Sequence, residues 1–443
     1  MFKKILIANR GEIAVRIIKT CKEMNISTLA IYSEADKDAL HVKVADEAFL
    51  VGEAPVMKSY LNMDKIFEVA KANNVDAIHP GYGLLSENAL FADKCQELGI
   101  IFIGPSTQSM KKMSLKVESR QLAKQIGLPL VPGTEIINSV DELRAEAAKI
   151  GFPIMIKASA GGGGIGMELI HNPESLEKAF KLAQSRAKAY FGNPAIYLEK
   201  FVEEPRHIEV QIFADKQNNF VHLGERECSI QRRHQKVVEE SPSVFLNNET
   251  RKQMTDAAIK IAKAVNYENA GTVEFIVNSK TGDFYFLEMN TRLQVEHPIT
   301  EKVTGLDLVK EQINIAYGLP FSLSQEQITF NGHAIECRIY AEDPVTFMPS
   351  PGKITHLEMS ETENFRVDTA IYQDYTVTPF YDPLLAKVIS YGDTREEAIK
   401  IMLDSLNKTK IEGIKSNIEL HKKILASSLF HDGNTTTDFL SKL

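Results

Sequence analysis

The 443-residue chain is 44% hydrophobic and 25% charged, with a formal net charge of -8. This is the profile of a globular protein of two to four domains. It has no basic tail and no arginine-rich block, which argues against nucleic acid as a primary partner. No apolar run approaches a membrane span, and "MFKKILIANRGE" enters a short strand pattern directly, without a signal sequence. Cys21, Cys95, Cys228 and Cys337 are far apart and form no CxxC pair, so a thiolate metal site or disulfide framework is not expected. A reducing, cytoplasmic compartment is the expectation.

The first third alternates strand and helix. "KILIA" reads as a buried strand, and Ile13, Ile17, Ile18, Cys21 and Met24 fall on one helical stripe. "STLAIY" is the next strand, and "VDAIHPGYG" and "GIIFIGP" each end a strand at a Gly/Pro loop. The pattern predicts an α/β fold with a doubly wound, largely parallel sheet, whose ligands lie beyond the strand carboxyl ends. The first loop, Asn9-Arg10-Gly11-Glu12, lacks the glycine spacing of a dinucleotide site.

From about Ser114 the pattern changes. "SLKVESRQLAKQIG" and "SVDELRAEAAKIG" read as helices, and the second leads to a strand holding Lys157. Next comes "ASAGGGGIGMELI". Its Gly161-x-Gly163-x-x-Gly166 spacing matches a dinucleotide fingerprint, but "MELI" reads as a strand. Glycines joining two strands cannot aim helix amides at a pyrophosphate, so the dinucleotide reading fails on context. The chain has no P-loop either. A glycine hairpin beside a lysine is read as a flap over phosphates, against the alternative of a hairpin with no ligand. A helix over "SLEKAFKLAQSRAKAY" follows. The last segment, from about Gly332, mixes short strands with a helix near "REEAIKIMLDSLNK".

"TVEFIVN" and "FYFLEMN" alternate as strands around the turn "SKTGD". Pairing Asn278 with Phe284 sets Ile276 against Phe286 and Glu274 against Glu288. The two carboxylates then stand about 5 Å apart at Cβ, which disfavours folding unless a cation intervenes. Asn290 projects to the same face, completing an oxygen-only set suited to Mg²⁺ or Mn²⁺. Ile276 and Phe286 on that face would bury it. Arg292, Gln294 and Glu296 follow at once. An arginine fork holds a planar oxyanion, and a neighbouring glutamate removes a proton from it, a description that bicarbonate fits. "CSIQRRHQKVVEE" concentrates Gln231, Arg232, Arg233, His234 and Lys236, a donor density suited to a triphosphate and a small anion. Cys228 reads as a small buried residue with no base beside it, and His79 as loop-forming rather than a metal ligand.

These motifs carry a family resemblance. "ANRGEIAVRI", "HPGYGLLSEN", "ERECSIQRRHQKVVEE", "FLEMNTRLQVEHPITE", "GHAIECRIYAEDP" and "PSPGKI" occur in this order across essentially the whole chain. In this the sequence resembles biotin carboxylase, the ATP-grasp component of biotin-dependent carboxylases. The resemblance implies a Rossmann-like unit over 1–113, an ATP-grasp unit over 114–331 with a lid near 131–201, and a C-terminal unit over 332–443. It implies that Lys116, Lys157, the glycines Gly161, Gly162, Gly163 and Gly164, and Met167 serve the ATP phosphates and their lid. Glu199, Lys200, Val202 and Ile276 would line the adenine and ribose pocket, with His207, Gln231 and His234 completing it. Glu274, Glu288 and Asn290 would hold Mg²⁺ or Mn²⁺. Lys236, Arg292, Gln294 and the Val295 amide would hold bicarbonate, Glu296 would be the base, and Arg338 would stabilise the biotin enolate.

The implied activity is ATP- and bicarbonate-dependent carboxylation of biotin through carboxyphosphate, the first half-reaction of acetyl-CoA carboxylase or a related acyl-CoA or pyruvate carboxylase. The sequence contains no Met-Lys-Met biotin-attachment motif and no carboxyltransferase region. The expected partners are therefore a separate biotin carboxyl carrier protein and carboxyltransferase subunits, with the chain itself a homodimer. One departure stands out: Ile165 and Glu168 occupy lid positions where the family usually has arginines. Weaker ATP binding or altered lid closure is the expectation there. A silent assembly subunit and a ligase for another carboxylate are the rival readings; the intact Glu274, Glu288, Arg292, Glu296 and Arg338 argue against the first, and the "RLQVEH" run against the second.

Overall fold

The computed structural model describes residues 1–159, 167–233 and 235–443. The first sheet contains β1 (Lys4–Ile7), β2 (Ser27–Ser33), β3 (Glu47–Gly52), β4 (Ala77–His79) and β5 (Ile101–Phe102), all parallel, in the order β3-β2-β1-β4-β5. This is the doubly wound unit expected from the alternating pattern. Ile13, Ile17, Ile18 and Cys21 are buried on the helix Gly11–Glu23, and Met24 caps it. The loop after β1 holds the loop after β4. Asn9 Nδ2 donates to the carbonyls of Pro80 and Tyr82 at 2.7 and 2.8 Å. His79 Nδ1 accepts from the Gly81 amide at 3.1 Å, and burial lowers its pKa to about 3, so it is a neutral turn-former.

A small three-stranded antiparallel sheet carries β6 (Ile154–Ala158), β7 (Met167–Ile170) and β8 (Ile196–Lys200), in the order β7-β6-β8. Lys157 pairs with Met167, so the glycine run joins two antiparallel strands, as its context required. Gly161 to Gly164 and Ile165 themselves lie outside the described residues. The helices Val140–Ile150 and Leu176–Phe191 cover one face. Ser139 caps the first through the Glu142 amide, and left-handed Gly192 ends the second.

The remaining large sheet has eight strands: β9 (Pro205–Ala214), β10 (Phe220–Arg232), β11 (Gln235–Ser241), β12 (Asn269–Asn278), β13 (Phe284–Asn290), β14 (His333–Tyr340), β17 (Phe365–Thr369) and β19 (Leu384–Gly392), in the order β13-β12-β9-β10-β11-β14-β19-β17. Two-stranded pairs made by β15 (Gly352–Lys353) with β18 (Thr376–Val377), and by β16 (His356–Glu358) with β20 (Lys410–Glu412), flank its far end. One core lies between β9, β12 and the helix Asn248–Ala264. A second lies between β14, β19 and the helix Arg395–Lys408. Among the described residues, no helix is long and apolar enough to cross a membrane. All four cysteines are buried and free.

Candidate active site

The site is built on one rung of the large sheet. Glu288, Glu274, Glu209 and Arg226 are successive cross-strand partners on β13, β12, β9 and β10. Partners across a ladder share a face, so the rung sets three carboxylates and one guanidinium side by side. Such a row is tolerable only if further cations approach it. Lys236, on β11, supplies one. Its Nζ lies 2.6 Å from Glu209, 3.0 Å from Glu274 and 2.7 Å from Glu296. Arg226 Nε adds a 2.6 Å bond to Glu209, and Arg338 Nη2 lies 2.9 Å from Glu296. His207 Nε2 is 3.0 Å from Glu274.

These contacts set the charge states. Burial alone would raise the Glu296 carboxyl, but Lys236, Arg338 and Arg226 hold it well below the ordinary range. Glu274 is held low in the same way by Lys236 and His207. The Lys236 ammonium is held well above its usual value against burial by Glu209, Glu274 and Glu296. Glu209 goes the other way, raised by burial and by the charge of Glu296. Tied to two cations, Glu296 is a poor base. An anion that drew Lys236 and Arg338 to itself would return basicity to it.

The expected cross-strand pairing holds at Glu274 and Glu288 but not next to the turn, where Val277 rather than Asn278 faces Phe284. Glu274 does face Glu288, and Thr272 faces Asn290. A bulge at Leu287 then shifts the register, so Ile276 faces Tyr285 and Phe275 faces Phe286. Phe286 therefore lies on the opposite face, buried against Phe275, and does not cover the carboxylates as the uninterrupted ladder predicted. Glu274 is buried within the rung, whereas Glu288, on the edge strand, is 35% exposed. Asn290 Nδ2 bonds Glu274 at 2.9 Å, and Lys116 Nζ lies 3.3 Å from Glu288. Lys236 beside Glu274 and Lys116 beside Glu288 thus stand where a metal would otherwise supply charge. Two carboxylates and an amide fit a hard divalent ion. A tighter grouping, His207, Glu209 and Glu274, has its ligand atoms within 4.8 Å of one another, but Lys236 already bridges its two carboxylates.

The Arg292 fork is held from three sides. Nε bonds Glu87 at 2.9 Å, Nη1 bonds Gln294 at 2.7 Å, and Nη2 reaches Asn290 at 3.3 Å. Gln294 in turn donates to Glu274 at 3.3 Å. Val295 is half-buried between Gln294 and Glu296. The structure therefore gathers Lys236, Arg292, Gln294, Glu296 and Arg338 beside Glu274 and Asn290, as the sequence reading grouped them.

On the side facing the small sheet, Lys157 pairs with Glu199, whose other oxygen takes Arg120 at 2.5 Å. Lys200 Nζ caps the carbonyls of Gly151 and Phe152 at 2.9 and 3.0 Å, so its side chain is committed to that sheet's own backbone. Val202 is buried just after β8. Half-buried Ile276 pairs with His207, and Gln231 bonds His207 Nδ1 at 2.9 Å. His234 lies outside the described residues.

The family comparisons agree along the chain. Residues 1–110 match "Biotin carboxylase, N-terminal domain", 116–324 match "Carbamoyl-phosphate synthase L chain, ATP binding domain", and 336–442 match "Biotin carboxylase C-terminal domain". Biotin carboxylase 2 of Bacillus subtilis is 53% identical over 443 residues, covering 100% of both chains. The chain belongs to the biotin carboxylase family. A biotin carboxylase–β,γ-ATP complex structure from Campylobacter jejuni superposes with a TM-score of 0.97 at 45% identity, covering 100% of this chain and 99% of that one. The biotin carboxylase domain dimer of Hydrogenobacter thermophilus 2-oxoglutarate carboxylase, in complex with MgADP, ADP and bicarbonate, gives 0.95 at 47% identity, covering 100% and 98%.

Three features of this biotin carboxylase escaped the sequence reading. Glu209 and Arg226 complete the rung, and only the β9–β12 and β9–β10 registers could have revealed them. Glu87 orients the Arg292 fork from the "SEN" run, which was noted but given no role. Cys228 does have a carboxylate beside it, with Sγ 3.9 Å from Glu296, contrary to the reading of no neighbouring base. Burial nonetheless pushes the thiol well above its ordinary value, so it stays protonated and inert. The Glu168 departure also looks different in place. Lys157 pairs with Met167, while Glu168 faces Ile156 on the helix-covered side and bonds Arg186 at 3.2 Å.

Proposed function

We propose that this biotin carboxylase deprotonates bicarbonate with Glu296 and carboxylates biotin at the expense of ATP. The observation that carries the reading is the convergence of Lys236 and Arg338 on Glu296. An entering bicarbonate offers these donors a second anion. Lys236, Arg292, Gln294 and the Val295 amide would hold it, and Glu296, released from its two partners, takes its proton. The carbonate oxygen attacks the γ-phosphorus of ATP, giving carboxyphosphate and ADP. Carboxyphosphate breaks into CO₂ and phosphate, and the phosphate takes the ureido proton of biotin. Arg338 then faces the ureido oxygen as negative charge develops on it, and the enolate captures CO₂. A preorganised donor of this kind contributes about 3–4 kcal/mol to a transition state.

Glu274, Glu288 and Asn290 would hold Mg²⁺ or Mn²⁺, which when bound offsets triphosphate charge. Lys116 contacts the large sheet through Glu288, and Lys157 lies on the small sheet. Each now pairs with a carboxylate that ATP would replace. Glu199, Lys200, Val202, His207, Gln231, His234 and Ile276 would surround the nucleoside. Gly161 to Gly164 and Met167 would close over the phosphates and exclude water, which would otherwise consume carboxyphosphate. The units 1–113, 114–331 with its lid near 131–201, and 332–443 divide this labour. Biotin would arrive on a carrier protein, and carboxyltransferase subunits would pass the carboxyl group on. A cytoplasmic homodimer is the expected form, consistent with four free buried thiols.

The test is ADP release from Mg²⁺-ATP with and without bicarbonate and free biotin. Bicarbonate-dependent turnover that rises with biotin supports the reading. Turnover indifferent to bicarbonate points to another acceptor, and ATP binding without turnover points to a silent subunit.

A further inference from the structure

Lys387, on β19, is fully buried, and nothing in the proposed chemistry uses it. It stands opposite Arg338 of β14 on one side and Asp368 of β17 on the other. The three charged side chains therefore share one face of the sheet. From that face Arg338 grips the Glu296 carboxylate. Lys387 grips the adjoining backbone: its Nζ donates to the Val295 carbonyl at 2.9 Å. That carbonyl belongs to the peptide joining Val295 to Glu296.

A second contact comes from the helix Gly11–Glu23. Glu12 Oε2 lies 3.2 Å from the same ammonium, and the Tyr82 hydroxyl donates to Glu12 Oε1. Asp368 is farther away, at 3.8 Å, and is itself forked by Arg366 with two bonds of 2.7 Å. Glu12 is thus the counter-charge nearest Lys387 that no arginine engages. A buried ammonium carries a desolvation cost that an apolar side chain of equal length would avoid. What it does here is clamp one peptide.

We infer that Lys387, oriented by Glu12, is a positioning residue for Glu296. It fixes the carbonyl that follows the Val295 amide and precedes Glu296, so that the amide on one side and the Glu296 carboxylate on the other face one bound bicarbonate. The inference rests on the functional reading above. Rotation of this peptide would swing the base away from its place relative to the Val295 amide, and a misplacement of about 1 Å at a reacting group costs about 100-fold in rate.

Lys387→Met keeps the length of the side chain and removes its donor. Glu12→Gln is isosteric and removes only the orienting charge, so it guards against a Lys387 variant that fails to fold. The expected result is a fall in kcat/KM for bicarbonate of about 10- to 100-fold in K387M and several-fold in E12Q, with KM for ATP within about twofold. Lys387→Arg, which restores a cationic donor, should recover part of the loss. Bicarbonate kinetics unchanged in both variants would overturn the inference. So would parallel rises in both KM values with a lowered unfolding temperature, the pattern of a packing role. An unaltered enzyme without bicarbonate-dependent turnover is a distinct outcome, which removes the functional reading and the inference together.

Discussion

Replacing Lys236 by methionine tests the charge balance of the site. The ammonium makes three charge-assisted contacts, to Glu209, Glu274 and Glu296. At about 1.5–3 kcal/mol each, their gross value is roughly 5–9 kcal/mol. The variant also avoids desolvating an ammonium, which offsets several kcal/mol of that. After the change Glu209 keeps Arg226, Glu296 keeps Arg338 and Glu274 keeps His207. No carboxylate loses its last partner, so the net loss should be about 2–4 kcal/mol at pH 8, toward the low end of what an orphaned buried charge costs.

The deficit should depend on pH. In the unaltered protein Glu274 and Glu296 have lowered folded pKa values. Their stabilisation is present above the unfolded carboxylate value of about 4.3 and is lost as pH falls through the folded value. Without Lys236 these carboxyls titrate higher, and protonation relieves their mutual repulsion. The gap between variant and parent is therefore largest at pH 8 and narrows toward pH 5. Thermal unfolding at pH 8, 6.5 and 5 reads this directly, with an expected drop of about 2–4 °C at pH 8. A deficit that is constant across pH, or none at all, would refute the argument that Lys236 is the shared counter-ion.

Other residues give separable outcomes. Glu296→Gln should lower bicarbonate-dependent ADP release by about 10²- to 10⁴-fold while calorimetric ATP affinity stays unchanged. Arg338→Gln should lower biotin carboxylation by about 100-fold or more, with bicarbonate-dependent ATP cleavage less affected. Glu288→Gln should raise the Mg²⁺ concentration for half-maximal rate by about tenfold or more, and excess Mg²⁺ should restore the rate. Glu168→Gln should leave KM for ATP within about twofold, because the side chain bonds Arg186 on the helix-covered side of the small sheet. A large rise there would mean that the position governs the phosphates after all.

Much of this was legible in the sequence because the informative residues are close together along it. The strand–glycine–strand order separated a lid from a dinucleotide loop, and the Glu274–Glu288 pairing followed from counting outward from a turn. The count failed between the turn and Leu287 and was restored at Glu288 by a bulge, which leaves no mark in an alternating pattern and sets Phe286 on the other face. Contacts between distant segments were also hidden. Glu209 meets Glu274 only through the β9–β12 register, Glu87 meets Arg292 across about two hundred residues, and Lys387 meets Glu12 from near the opposite end of the chain. Chemistry-bearing motifs are local, whereas the residues that aim them come from whatever the topology brings alongside.

The central claim is that an oxygen of bicarbonate attacks the γ-phosphorus of ATP. It is tested most directly by running the biotin-dependent reaction with ¹⁸O-labelled bicarbonate in unlabelled water and weighing the phosphate released. The account predicts one ¹⁸O atom in each phosphate. Phosphate without ¹⁸O would contradict it, because water would then be the nucleophile.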